Sequence, residues 1–287
     1  MSDPRTVLLL HPGAMGASVG GAAVAAGHRV LWVPAGRSEA TVRRADAAGL
    51  EAAADLADGL GTAGVVLSVC PPHAALDTAR SVAAAGFQGL YVDANAVAPQ
   101  TTLAVAEIVE GAGGRFVDGG IIGPPATRAG ITRLYLSGTG AVEAATLFAG
   151  SLLEARVLEG PREAASALKM CYAAWTKGST ALQAAIRSLA ASLQVEPALV
   201  AEWALSQQGL EARSRASITG GAHKAWRWVA EMEEIATTFR EAGLPGGFHD
   251  GAAEVYRRMR DFKDGPEPPL DAVIAALTAG GENTPSD

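Results

Sequence analysis

The chain has 287 residues, 49% hydrophobic and 18% charged, with a net charge of −7, which suits a soluble globular protein of one large or two ordinary domains. The acidic balance, without any basic run, speaks against a nucleic-acid partner, and no apolar stretch reaches the roughly 18 residues that span a membrane. Met1–Arg5 leads into a strand pattern without signal-peptide features, and the two cysteines, Cys70 and Cys171, lie far apart without partners for a metal site. A reducing cytoplasm is the expected setting.

In chain order, Val7–Leu10 is a short apolar run bounded by a turn, the pattern of a buried strand. His11-Pro-Gly-Ala-Met-Gly-Ala-Ser-Val-Gly20 follows, then Ala22–Ala26, good helix formers that end at Gly27-His28. Strand, glycine turn and helix form the setting in which such a motif binds a dinucleotide. Gly13 permits a tight turn or a close approach to a pyrophosphate, and Gly16 and Gly20 clear the contact between helix and sheet. Around Ala14 and Met15 the N–H groups of the helix start face phosphate. His11 stands where the usual first glycine would be. A tight connection without a ligand is the plainer reading, but the next strand, Arg29–Val33, arrives at the distance of a βαβ unit.

That strand ends in Pro34-Ala-Gly-Arg-Ser38, with no acid before Glu39. An NAD-binding unit places Asp or Glu here for the ribose 2′-hydroxyl; Arg37 and Ser38 suit a 2′-phosphate instead, so NADPH is expected. The alternative is a solvated surface arginine. Thr41–Gly49 reads as a helix and Ala63–Val69 as a buried strand, stopped by Cys70-Pro71-Pro72 at the cofactor edge. Small-residue packing is the favoured role of Cys70 over a nucleophile, and His73 reads as a loop residue. Leu90–Val92 is a strand closed by Asp93–Pro99, which places Asn95 at the same edge. Phe116–Val117 opens a further strand before Asp118-Gly-Gly-Ile-Ile-Gly-Pro-Pro125, and Leu134–Ser137 is another. The alternation predicts a doubly wound parallel Rossmann-type sheet over residues 1–160.

Gly160-Pro161 marks the change to a helical domain, residues 161–287. A helix from Pro161 toward Pro197, interrupted only by Gly178, would run on the order of 50 Å. Helices are expected at Pro197–Gln208, Trp226–Ala242, Gly251–Arg260 and Pro269–Leu277, with Gly280–Asp287 a frayed tail. On the long helix Lys169, Tyr172, Ala173 and Thr176 share one face. Only four of the 23 basic residues are lysines; lysine, unlike arginine, can lose its proton in a protein. Burial would bring Lys169 toward the range of a general acid or base. The alternative is a lysine that snorkels its head to solvent. Lys177, two turns further on, is expected to matter less.

Gly13-x-Met15-Gly16-x-x-x-Gly20, Cys70-Pro71-Pro72, Asp93–Pro99, Asp118–Gly123 and the helical Lys169 occur in the order found in the β-hydroxyacid dehydrogenases, a group with 3-hydroxyisobutyrate and phosphogluconate dehydrogenases. The chain resembles that group. Leu168–Ala174, Trp226–Ile235 and Gly243–His249 look like its branch with a DUF1932 C-terminal domain. The resemblance implies that Lys169 is catalytic, that Arg37 marks NADPH preference, that substrate sits between the domains, and that the helical half builds a homodimer. It also implies hydride transfer to or from a carbonyl or alcohol carbon; an imine reductase, oxidation followed by decarboxylation, and a non-catalytic NADPH-binding protein are the alternatives. Retained Lys169 counts against the imine reductase. Three departures stand out: Ala173 where Asn is common, Ile122-Gly123-Pro124 where Ser-Gly-Gly is common, and Ala230-Glu231 in place of a Lys-Asp pair. Ile122 with Tyr172, Trp175, Trp226 and Trp228 suggests a larger or more apolar substrate, although the aromatics could equally be core; Ile122, Gly123, Tyr172, Ala173, Trp175 and Trp228 are the substrate-binding residues expected.

Overall fold

Val7, Leu8, Leu9 and Leu10 point alternately to the two faces of one strand, and all four are buried, so both faces of the sheet need covering by helices. The structure, a computed structural model, describes residues 3–279; the expected tail Gly280–Asp287 lies outside the described residues. The chain divides into two compact units, Met1–Met170 and Cys171–Asp287, with the boundary inside a helix rather than at Gly160-Pro161.

In the first unit β1 (Thr6–Leu10), α1 (Ala14–Ala25), β2 (Arg29–Trp32), α2 (Glu39–Ala47), β3 (Glu51–Ala52), α3 (Leu56–Thr62) and β4 (Val65–Ser68) come first. Then follow α4 (Ala75–Ala84), β5 (Leu90–Asp93), α5 (Pro99–Gly111), β6 (Arg115–Ile122), β7 (Arg133–Ser137), α6 (Ala141–Ala145) and β8 (Glu154–Val157). They build one eight-stranded sheet in the order β3-β2-β1-β4-β5-β6-β7-β8. Its apolar residues fall into one cluster with Val7, Leu9, Leu67 and Val92 and another with Leu8, Leu10, Val66 and Tyr91. These are the two faces of the doubly wound sheet.

One strand departs from the parallel expectation. β7 runs antiparallel to β6, with Asp118 opposite Ser137 and Ile122 opposite Arg133, and β8 is parallel to β7. A parallel return needs a helical crossover; residues 123–132 contain no helix, so the chain turns back on itself.

α1 begins at Ala14, directly after the glycine turn, rather than at Ala22. Gly16 and Gly20 therefore lie inside the helix, on the side that meets the sheet. A Cβ at Gly16 would fall on the His11 carbonyl oxygen, and one at Gly20 would come within 2.8 Å of a Leu9 methyl and 2.9 Å of a Leu50 methyl.

α7 (Ala164–Ser192) begins in the first unit and continues through the second. Its 29 residues give about 43 Å at the helical rise, a little short of the expectation. Gln194, in the left-handed region at φ 60°, and the Val195 N–H to Ala190 carbonyl bond of 2.8 Å close it. α8 (Glu196–Ser206), α9 (Leu210–Ala222), α10 (Ala225–Glu241), α11 (Gly247–Arg258) and α12 (Leu270–Ala279) follow. No helix among the described residues is long and apolar enough to cross a membrane.

The glycine contacts yield an ordering of mutant stabilities. Gly16→Ala is expected to lose about 1–3 kcal/mol in urea unfolding, the cost of overpacking against backbone that cannot yield. Gly20→Ala should lose clearly less, since leucine methyls rotate away. Equal losses would show that α1 is not seated on the turn.

Candidate functional site

The chain leaves β1 toward β2 on one side and β4 lies on the other, so the crevice beyond the carboxyl ends of β1 and β4 is the switch point where doubly wound sheets bind ligands. The turn His11–Gly16 lies at one end and Val69-Cys70-Pro71-Pro72 at the other. Gly13 caps the start of α1 without a side chain, and no acid stands in its first turn; the leading N–H groups of α1 therefore present positive potential to an anion. Arg37, exposed after β2, acts on His11: burial first, then the Arg37 cation, push the imidazole down to about 4. Ser38 accepts from the Thr41 N–H at 3.3 Å and so caps α2. The Ala126 N–H donates to Ser18 on α1 at 2.7 Å, which brings the loop after Ile122 and Gly123 to the glycine turn. Sequence reasoning missed Ser18; its partner is 108 residues away.

Two residues expected at the cofactor edge are spent on internal bonds. Asn95 is buried; its Oδ1 accepts from the Cys70 N–H at 2.6 Å and its Nδ2 donates to Ser68 Oγ at 3.1 Å. It joins the ends of β4 and β5 and shapes the crevice from beneath. Cys70 is buried as well, and burial pushes its thiol up to about 11, which fits the packing role. Pro71 is exposed and Pro72 half-buried.

Lys169 lies half-buried on the first turns of α7, and the cause of its placement is in β6. A Cβ at Gly120 would fall on the Ala165 carbonyl oxygen and come within 3.2 Å of Lys169 Cβ, so the glycine lets α7 settle on the strand. Asp118 fixes the same turn. It accepts from the Ser166 N–H at 2.8 Å, from Ser166 Oγ at 2.5 Å and from Ser137 Oγ at 3.2 Å, while Thr102 Oγ1 lies 2.9 Å from Ser166 Oγ. The Asp118-Gly-Gly signal was visible in the sequence; its Ser166 partner was not.

Register places Ser68, Asp93, Asp118 and Ser137 side by side across β4, β5, β6 and β7, all fully or almost fully buried. Burial pushes Asp93 up to about 7, with the Asp118 charge adding to it against the Asn95 N–H bond. Burial also raises Asp118, to about 6, against its donors. Asp93 is the member raised further, and its Oδ2 has no partner among the described residues. Both values lie above the unfolded carboxylate range near 3.9. The folded state therefore binds more protons between about pH 4 and pH 7, and this pair's contribution to stability falls as pH rises through that window. Asp93→Asn is expected to flatten the fall, so that its urea midpoint gains on wild type between pH 5 and pH 8. An unchanged slope would mean that Asp93 ionises freely.

The helical unit carries the remaining expected residues. Tyr172 and Trp175 are exposed, at 44% and 74%, whereas Ala173 is only 1% exposed. Ile122, in the first unit, is also buried, and Gly123 takes φ 117°, so glycine is required there on backbone grounds. Trp228 meets Tyr256 edge-on with ring centres 5.1 Å apart, and Trp226 lies under the Lys263 ammonium, 4.3 Å from its ring centre. Lys177, expected to matter less, pairs with Glu231 in an 18% and 9% exposed ion pair, 5.4 Å from the Trp228 ring centre. Its carbonyl accepts from Tyr256 Oη at 2.6 Å. Lys177→Ala is expected to cost on the order of 3 kcal/mol in urea unfolding, because it removes one member of a largely buried ion pair and leaves Glu231 without this partner. A loss below about 0.5 kcal/mol, the usual size of a surface change, would make the pair incidental.

Residues 190–259 match the family model described as a domain of unknown function, DUF1932. No sequence among curated proteins matches the chain. Among solved structures, a conserved hypothetical protein from Sinorhizobium meliloti 1021 is similar at 24% identity over 97% of each chain, with a TM-score of 0.70. The 3-hydroxyisobutyrate dehydrogenase of Mycobacterium tuberculosis, solved with L-serine, is similar at 18% identity over 96% of this chain and 99% of its own, with a TM-score of 0.70. Psf3 in complex with NADP+ and 2-OPP is similar at 17% identity over 95% and 99%, with a TM-score of 0.64. At these identities the likeness is one of fold.

Proposed function

Because the chain carries a DUF1932 domain and shares its fold with a hydroxyacid dehydrogenase, we propose that it is an NADP(H)-dependent oxidoreductase. It moves hydride to or from a carbonyl or alcohol carbon of a small to medium organic substrate, with Lys169 as general acid or base. The observation that carries this reading is the glycine turn, which opens at the sheet's switch point into an uncapped helix start with Arg37 beside it.

The residues fit a dinucleotide. The His11 carbonyl fills the space a side chain at Gly16 would take, nothing stands within 4 Å of a Cβ at Gly13, and the first N–H groups of α1 have no side-chain cap. Gly13, Ala14, Met15 and Gly16 would hold the pyrophosphate, and Arg37 the 2′-phosphate. A bound NADP(H) supplies the hydride. Lys169 exchanges the hydroxyl proton at Nζ, from a helix turn held by Asp118 and Gly120. The exposed rings of Tyr172 and Trp175 favour an apolar substrate portion. Leu182 and Leu189, exposed on α7, and Leu193 just past its end would be covered by a second copy of the chain in a homodimer, and the enzyme would work in the cytoplasm.

Purified protein with NADPH and a panel of carbonyls and imines tests the reading. Carbonyls are expected to be reduced in preference to imines. On the responsive substrate Lys169→Ala should lower kcat by about 10²–10⁴-fold, the range of general acid–base catalysis, with cofactor affinity unchanged. Lys169→Arg should do almost as badly, since guanidinium keeps its proton. Near-normal turnover by Lys169→Arg would overturn the role of Lys169, and NADPH binding without turnover of any carbonyl would overturn the hydride-transfer reading.

A further inference from the structure

His11 breaks the glycine pattern at the turn after β1. It takes φ 65°, in the left-handed region that few side chains adopt. Its carbonyl accepts from the Gly13 N–H at 2.7 Å and is the atom a side chain at Gly16 would strike. The backbone at His11 is thus fixed in a strained conformation, and it carries a ring where most such turns carry none.

The ring is half-buried, and its Nδ1 is buried with no partner among the described residues. Arg37, from the loop after the neighbouring strand, is the charged group that acts on it. α1 brings no acid in its first turn, only open N–H groups. At the other end of the crevice, after β4, the Cys70 thiol is kept neutral by burial. Burial and the Arg37 cation hold the ring near 4, so it is neutral in the free protein at ordinary pH. An imidazole that could accept a proton, a guanidinium that opposes it and a helix start that attracts anions converge on one place. A dianion there would remove the opposition.

Building on the dinucleotide reading, we propose that His11 and Arg37 together seat the 2′-phosphate of NADP(H), and that His11 takes up a proton as the phosphate arrives. Neutral imidazole has one donor and one acceptor nitrogen; the protonated ring donates from both. The phosphate charge offsets that of Arg37 and stabilises the imidazolium, so His11 becomes a second cationic donor only when the ligand is present. This gives a reason for a histidine where glycine would relieve the backbone strain. NAD(H), without that phosphate, leaves His11 neutral.

Titration calorimetry near pH 6 in succinate, MES and bis-Tris reads the proton directly, since the slope of observed heat against buffer ionisation heat is the number of protons taken up. Wild type is expected to take up about half to one proton with NADP+ and with adenosine 2′,5′-bisphosphate, and markedly less with NAD+. Asparagine and glycine both accept left-handed backbone, so His11→Asn and His11→Gly should fold; a thermal melt checks this. Both should lose most of the uptake and bind NADP+ several-fold more weakly, with NAD+ affinity unchanged. Any proton shed by the phosphate, whose second ionisation lies near 6, is common to wild type and variants and drops out of the comparison. Arg37→Ala should weaken NADP+ while leaving NAD+ as it was. Uptake that persists in both His11 variants, or that is equal with NAD+, overturns the proposal while the dinucleotide reading stands. Failure of NADP+ to bind at all overturns the reading itself.

Discussion

The first turn of α7 is held to the sheet by one buried carboxylate. Asp118 receives both the N–H and the hydroxyl of Ser166, and Gly120, two residues along the strand, removes the side chain that would keep the helix away. A buried carboxylate is tolerated only when it is well hydrogen-bonded, and a helix start offers N–H groups that need an acceptor. Each answers the other's need. The consequence reaches past the pair itself, because Lys169 follows Ser166 by less than one turn, so its Cβ is fixed by the same bonds.

The same carboxylate constrains its neighbour. Asp93 stands next to Asp118 in register, and two adjacent buried carboxyls do not both ionise readily. The donors are divided unevenly, three side-chain or backbone groups to Asp118 and the Asn95 N–H to Asp93, so the charge settles on Asp118. Asn95 then ties Asp93 to the end of β4 through Cys70 and Ser68. A polar layer thus runs across four strands between two apolar faces, and it fixes the strand ends from which the crevice is built.

Most of the sheet was legible because its strands are continuous apolar runs, a direct product of burial on both faces. β3 and β8 were not: Glu51–Ala52 is exposed and Glu154–Val157 nearly so, and short exposed edge strands need no apolar residues. The direction of β7 was misread because alternation reports strand existence and not orientation. The site divides the same way. The glycine turn was legible because strand, glycine turn and helix are local in the chain. Asp118 bonded to Ser166, Ser18 bonded to Ala126, and the internal use of Asn95 join positions distant in the chain, and neither periodicity nor spacing carries that information.

The lysines show how far residue scarcity can be pressed. Sparse use of lysine suggested that each one does what arginine cannot, yet Lys177 serves as a cation, in an ion pair with Glu231. Ala230-Glu231 stands where the resembling family has Lys-Asp, and the cation that pairs with Glu231 is Lys177 on α7, 54 residues earlier. Ala173 follows a similar logic. It is buried, and an asparagine amide there would need partners that an alanine does not. Lys263 meanwhile covers a surface indole. Rarity alone therefore does not mark a proton carrier. What sets Lys169, the proposed proton carrier, apart is its place: it is the lysine on the helix turn that Asp118 and Gly120 fix to the sheet, and the proposed general acid or base would depend on that fixed geometry as much as on its proton.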